Sequence, residues 1–421
     1  MNYEESMQYI EEKNKLGIVP GLRSIRELLR RMGNPQDAVR VLHIAGTNGK
    51  GSVFAYVEQG LLAYGYRVGR YASPALRDYE ERFTLDGVMI QQERTADLMT
   101  KVRKVAETVE KDGYQPLTAF EIETAMAFLL FAEEKVDFAL VECGMGGRLD
   151  ATNVVAHPVV TVFASIGMDH MQFLGDTIEK ITSEKAGIIK PGVPVVSAPQ
   201  EEAVANVIRE TREFMGNPLV LVSADEIRVE SVLPEKTTFT YKGEDYVIGL
   251  PGTFQPVNAC VAVETLRILG VSQDAIKEGL RRTTWPGRMT KMCDRPLVYV
   301  DGAHNLPAWE SLLSTVNYYF TNRRIVYIIG VLRDKDYKSM VRLLAPTMSC
   351  AFTLTPKNQR GLSAKELAAV IEEAGVTAVA AENYEEALLL AKKEASADDV
   401  IMVCGSLSFI SYFLDRNVWN S

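Results

Sequence analysis

Short apolar runs bounded by glycine, proline or polar residues alternate along this chain with longer stretches of helical period, the pattern of a mostly parallel sheet with helices on its faces. The first run opens VLHIAGTNGKGS; further strands read at 67–71, 136–142 and 159–165. Helical periodicity covers 24–32, with Ser24 as cap and Gly33-Asn34-Pro35 as stop, and returns over 52–64, 92–111 and 117–134. Over 219–249 the period changes to two, and KTTFTYKGEDYVIGL predicts a hairpin turned at Lys242-Gly243. Helices at 255–269 and 272–282 close this half. Trp285-Pro286-Gly287-Arg288 interrupts the pattern, and a second alternating series follows, with strands at 297–300, 324–329, 349–354, 376–380 and 399–403. No internal repeat or low-complexity segment is present.

Length and composition shape this into two domains. The 421 residues, 47% hydrophobic, can bury two substantial cores. The expectation is an α/β protein: residues 1–292 as a P-loop ATPase-like doubly wound sheet with a small antiparallel element, and residues 293–421 as a Rossmann-like α/β domain. A net charge of −9 argues against nucleic acid or an anionic membrane as partner. The opening MNYEESMQYIEEKNK is polar and acidic, no apolar stretch approaches the roughly 20 residues that span a bilayer, and the protein is expected in the cytoplasm. Cys143, Cys260, Cys293, Cys350 and Cys404 lack metal-site spacing and read as reduced thiols.

The chemistry starts at Gly46-Thr47-Asn48-Gly49-Lys50-Gly51-Ser52. Glycines around one lysine, directly after a buried strand, make a triphosphate cradle: backbone N–H groups approach phosphate oxygens, Lys50 adds a point charge, and Ser52 can reach magnesium. The spacing departs from the common P-loop, whose first glycine would fall at Ile44 and whose hydroxyl residue would fall at Gly51. In open α/β sheets the site lies at the carboxyl ends of strands, so Glu142 after FALVE and Asp169-His170 after TVFASIG are candidate metal ligands, with a helix cap, an ion pair or a loop cap as the alternatives. Ser73 in YASPAL is a third ligand or simply a turn. Lys185 sits in a helical segment, either functional or a solvated face residue. In the second series Asp301 and His304, in YVDGAHN, are expected to face a cleft between the domains, or else to cap their loop.

These residues together resemble the folylpolyglutamate synthase and dihydrofolate synthase family of Mur-type amide ligases. The resemblance rests on GIVPGLRSI, HIAGTNGKGS, the Ser73-Pro74 pair, Glu81-Arg82, TAFE, ECGMGGRLDATN, SIGMDHMQFLG, EKAGIIK, FQPVNA, WPGRM and DGAHN, in this order along nearly the whole chain. It implies ATP-dependent joining of L-glutamate to a folate-type carboxylate through an acyl phosphate, with an ATP-binding and folate-binding first domain and a glutamate-ligase second domain. It further implies ATP contacts from Gly46 to Ser52, Asn258, Arg288 and Asp301; magnesium on Ser73, Glu142 and His170; and carbamylation of Lys185. Lys50, Glu142, His170 and Lys185 would be the catalytic set. Thr118, Phe120, Glu121, Leu149, Asp150 and Ala151 would line the folate pocket, with Phe120 stacking on the pterin and the carboxylates of Glu121 and Asp150 accepting from it. His304 and Ser406 would hold glutamate. The implied partners are ATP, L-glutamate, and dihydropteroate or reduced folates, with the chain acting as a monomer. Two positions depart from the family pattern, Cys143 for a branched aliphatic and Ala75 for a histidine, and neither is an implied ligand. The rival readings are a Mur-type ligase acting on a cell-wall precursor, a nucleotide-dependent kinase and a nucleotide-gated binding protein; TAFE and GGRLDATN speak against the first, Lys185 and the second domain against the other two.

Overall fold

The computed structural model describes residues 1–420. The chain forms two units: Met1–Ile227 with Val257–Arg282, and Arg228–Pro256 with Thr283 onward.

The first unit is built on an eight-stranded sheet in the spatial order 88–89, 83–85, 68–71, 138–142, 41–45, 160–163, 195–197 and 219–221. The strands from 68–71 to 219–221 are parallel, while 83–85 pairs antiparallel with 68–71 and the edge strand 88–89 pairs antiparallel with 83–85. Val41–Ala45 and Phe138–Glu142 are buried along their whole length, as a sheet covered on both faces requires. Ile44 pairs with Glu142 in register, which brings the residues that follow each strand together at one end of the sheet. The helix Lys50–Tyr64 crosses the helix Gln273–Arg282 glycine against glycine, a Cβ at Gly279 standing 2.4 Å from Gly60 N.

The second unit has a six-stranded sheet in the order 290–294, 297–300, 400–404, 325–329, 350–353 and 378–380, parallel apart from the edge strand Thr290–Asp294. Its core gathers around Trp309, Tyr327, Met340 and Leu344.

Several sequence expectations need correcting. Ser24 does not cap its helix: the helix is Arg23–Arg31 after Leu22, and Ser24 Oγ donates instead to Gln115 O at 2.9 Å. Leu219–Leu221 does not belong to the antiparallel element but pairs in parallel with Val195–Ser197, a strand whose three residues are too few to show a period. The hairpin itself turns where expected, Tyr241 opposite Glu244 with Lys242 and Gly243 at φ 49° and 77°, a type I′ turn. Its sheet groups spatially with the second unit. Tyr319 on the helix Leu306–Tyr319 accepts from Gly252 N at 2.9 Å through its hydroxyl, and Thr253 N donates to Thr315 Oγ1 at 3.3 Å, so the segment after the hairpin is tied there.

Candidate active site

Between the strand Val41–Ala45 and the helix Lys50–Tyr64 the chain turns sharply through Gly46 and Gly49. Gly49 is in the left-handed region, at φ +88°, and a Cβ there would stand 2.6 Å from Asn258 Oδ1, so both backbone and space demand glycine. Asn258 is thereby packed against the loop. Thr47 N and Asn48 N donate to Ser165 O at 2.7 and 3.1 Å, and Thr47 Oγ1 donates to Gly167 O at 2.9 Å while accepting from Gly167 N. The amides of 47 and 48 are therefore turned to the neighbouring loop. The amides at the start of the helix, where no intrahelical carbonyl is in reach, are the ones that can face an anion. Ser52 lies inside that first turn and is buried.

Charges converge on this turn. Lys50 Nζ donates to Gly46 O at 3.1 Å and lies 3.5 Å from Glu142 Oε1. Lys185, on the helix Ile178–Ala186, donates to the same Gly46 O at 3.1 Å and is only 4% exposed, which removes the solvated-face alternative. Burial, and after it the charge of Lys50, pushes the Lys185 pKa down to about 8; Cys143, Asp169 and Asp150 act in the other direction. His170 begins the short helix Met171–Leu174 at φ +52°, with Nε2 4.0 Å from Asp169 Oδ2. Ser73 follows the strand Val68–Tyr71, whose Tyr71 is in register with Val141, so it lies at the same end of the sheet as Glu142. Among the described residues no group of three or more His, Cys, Asp and Glu gathers around one point. The oxygen donors that are present, the buried Glu142 carboxylate and the Ser73 hydroxyl on adjacent strand ends, are of the hard type that magnesium prefers.

The expected folate residues divide in two. Phe120 stacks on Tyr71 with centroids 5.9 Å apart, and a Cβ at Gly144 would stand 2.6 Å from its Cζ, so the ring and the 143–153 loop meet closely. Leu149 is 47% exposed on that loop. Thr118 and Glu121, however, form a reciprocal capping box at the helix Ala119–Glu133, Glu121 Oε2 accepting from Thr118 N at 2.8 Å. Asp150 is buried and accepts from Met145 N at 2.9 Å and Thr152 N at 3.0 Å, capping the turn Ala151–Val154, of which Ala151 is the first residue. The carboxylates expected to accept from a pterin thus hold local backbone, and burial raises the pKa of each.

In the second unit Asp301 is buried and accepts from Met289 N and Ala303 N, both at 2.8 Å. Burial raises its pKa, against the pull of the nearby Arg288 guanidinium. Arg288 donates to Gly287 O at 3.0 Å, and a Cβ at Gly302 would stand 2.6 Å from Arg288 Nη1, so the two motifs WPGRM and DGAHN form one turn cluster. His304 Nδ1 lies 2.8 Å from Gly302 O. Ser406 is buried, its hydroxyl 3.1 Å from Ser408 Oγ.

Over residues 44–266 the chain matches the Mur ligase middle domain, and over 287–407 the Mur ligase glutamate ligase domain. It is 36% identical to the dihydrofolate synthase/folylpolyglutamate synthase of Bacillus subtilis, over 97% of each chain. The chain belongs to the folylpolyglutamate synthase/dihydrofolate synthase family of Mur ligases. It is also 32% identical to folylpolyglutamate synthase of Lacticaseibacillus casei, over 98% of this chain and 97% of that one. A structure of E. coli FolC in complex with DHPP and ADP superposes with a TM-score of 0.87 at 30% identity, covering 99% of this chain and 98% of that one. The synthase is accordingly an ATP-dependent ligase, and none of its described helices is long and apolar enough to cross a membrane.

Reading the synthase from sequence missed three residues that organise this site. Gln200 accepts from Ile166 N at 3.0 Å and donates to Ala164 O at 2.9 Å, bracing the loop that leads to His170. Asn153 Nδ2 donates to Arg148 O at 2.9 Å and Gly187 O at 3.1 Å, joining the 143–153 loop to the end of the Lys185 helix. His43 lies wholly buried inside the first strand. His43 leaves a trace in sequence as the polar residue in the otherwise apolar VLHIA, and Asn153 as the end of ECGMGGRLDATN; Gln200 leaves none.

Proposed function

We propose that this ligase joins L-glutamate to dihydropteroate and to reduced folates, one protein performing both reactions through an acyl phosphate. The observation that carries the reading is the convergence of Lys50, Lys185 and Glu142 on the Gly46 turn, at the end of the sheet where the Phe120–Gly144 contact also lies. An acceptor carboxylate oxygen attacks the γ-phosphorus of ATP and ADP leaves; the glutamate amine then attacks the acyl carbon and phosphate leaves. Lys50 and the helix amides bind the triphosphate and stabilise the charge that builds as ADP departs. Asn258, Arg288 and Asp301 orient the rest of the nucleotide, and His304 and Ser406 the incoming glutamate. Phe120, Leu149 and Ala151 receive the folate ring system, with Thr118, Glu121 and Asp150 holding the backbone that shapes the pocket.

Ser73, Glu142 and His170 would hold magnesium, which when bound neutralises phosphate oxygens and orients them for in-line transfer. Lys185 supplies the remaining oxygen donor as a carbamate. Its support is the lowered pKa: at pH 7 about a tenth of an amine with a pKa near 8 is neutral, the form that adds to carbon dioxide with loss of one proton. The five cysteines are free thiols, which suits the cytosol.

The test is glutamate-dependent ADP release by the purified protein, with dihydropteroate and tetrahydrofolate offered separately. Activity with both is expected. Activity with tetrahydrofolate alone would reduce the protein to a folylpolyglutamate synthase, and activity with neither would overturn the substrate assignment.

A further inference from the structure

The 143–153 loop rests on a buried chain of hydrogen bonds that starts in the strand carrying the nucleotide loop. His43 Nε2 lies 2.8 Å from Thr152 Oγ1 and 3.1 Å from Cys143 Sγ. Thr152 Oγ1 donates its hydrogen to Asp150 Oδ1, and Asp150 also accepts from Thr152 N and Met145 N. Thr152 Oγ1 is closer to Asp150 Oδ1 than to its other acceptor, Cys143 Sγ at 3.6 Å, and with its hydrogen turned to Asp150 its oxygen accepts from His43, which favours the imidazole tautomer protonated on Nε2. Burial, assisted by the charge of Lys190, pushes the His43 pKa down to about 3, so the ring stays neutral wherever the protein is folded and active. The same loop clamps the Lys185 helix, Arg148 N donating to Glu184 O at 2.8 Å. At Gly144 it approaches Phe120 so closely that not even a methyl group fits. A loop held between a ring and a helix in this way tolerates little change of height, and its height is set from beneath.

We propose that His43 is a positioning residue for the acceptor substrate: by donating to Thr152 it fixes the height of the 143–153 loop against Phe120 and the Lys185 helix. This rests on the assignment of that loop to the folate acceptor. His43 touches neither substrate; it acts through Thr152 and Asp150. The strand it occupies continues into Gly46, so one rigid element seats both the nucleotide turn and the acceptor loop.

The full-length protein tests this with two pairs of variants, His43→Ala with His43→Gln and Thr152→Val with Thr152→Ser. Removing the donor or the hydroxyl should raise the acceptor KM about tenfold, the equivalent of one buried hydrogen bond, and leave the KM for ATP within about twofold. Glutamine can still donate an N–H and serine keeps the hydroxyl, so both should return the acceptor KM to within about threefold of wild type. Glutamine and serine variants as impaired as alanine and valine, or equal losses toward ATP and acceptor, would overturn the proposal. If His43→Ala does not fold, the Thr152 pair decides. Imidazole nitrogen-15 shifts of the ligand-free protein, which has four histidines, give a readout independent of turnover. A neutral Nε2–H tautomer at His43 is expected, and an Nδ1–H tautomer would sink the network even in an active enzyme. Wild-type protein inactive with both folates, but showing the Nε2–H tautomer, would instead overturn the substrate assignment.

Discussion

Lys50 and Lys185 donate to the same carbonyl oxygen, that of Gly46, each at 3.1 Å. Two ammonium groups sharing one acceptor repel each other, and the buried one yields: Lys185 has the lowered pKa, with Lys50 as its second cause after burial. Of the two ammonium groups, the buried one is thus the one under electrostatic strain.

That strain has a pH signature. A lysine whose pKa is about 8 when folded and 10.5 when unfolded has lost its proton in the native state while the unfolded chain still holds it, so stability rises with pH across that window. In carbonate-free buffer, wild type should gain on Lys185→Met by an amount of order 3 kcal/mol between those two values. Chemical unfolding at a series of pH values measures it, and a flat difference refutes it. Added bicarbonate near pH 8 should then stabilise wild type but not the variant.

Lys50→Ala and Glu142→Gln should keep the far-UV spectrum and melt within a few degrees of wild type while losing at least roughly a hundredfold in ligase rate, the scale of removing a preorganised charge. Near-normal turnover in either variant would remove that residue from the chemistry.

Gly144 has an ordinary backbone conformation but no room: the Cβ of Gly144→Ala would stand 2.6 Å from Phe120 Cζ. The ring must move, so the variant should fold, bind ATP normally and show an acceptor KM raised roughly tenfold. Steady-state kinetics with each folate checks this, and an unchanged acceptor KM would place the pterin elsewhere.

Thr118→Ala removes half of a capping box and should cost about 1 kcal/mol in unfolding free energy. Because its hydroxyl donates to Glu121, the acceptor KM should change less than for Phe120→Ala. A larger kinetic effect at Thr118 would show that its hydroxyl meets the substrate directly.

The antiparallel hairpin shows where local pattern suffices and where it stops. The alternation in KTTFTYKGEDYVIGL and the glycine after Lys242 determine a type I′ hairpin, because period and turn geometry are properties of a few adjacent residues. Which unit the hairpin joins depends on Gly252 and Thr253 meeting Tyr319 and Thr315, more than 60 residues away, and no local pattern encodes that. Glu121 and Asp150 make the same point inside the site. Sequence marks them as carboxylates near a candidate pocket; packing turns them into the caps of Thr118 and Thr152.

By itself, then, the sequence determined the alternating strands and helices, the glycine turn around Lys50, the polar residues at strand ends and, through the ordered motifs, the family, since each is a property of short stretches. Tertiary structure alone decided that Ile44 lies beside Glu142, that Lys185 is buried against Gly46 and that His43 reaches Thr152. These follow from strand order, in which 41–45 lies between 138–142 and 160–163, and a burial or a shared acceptor exists only once that order has brought distant segments into contact.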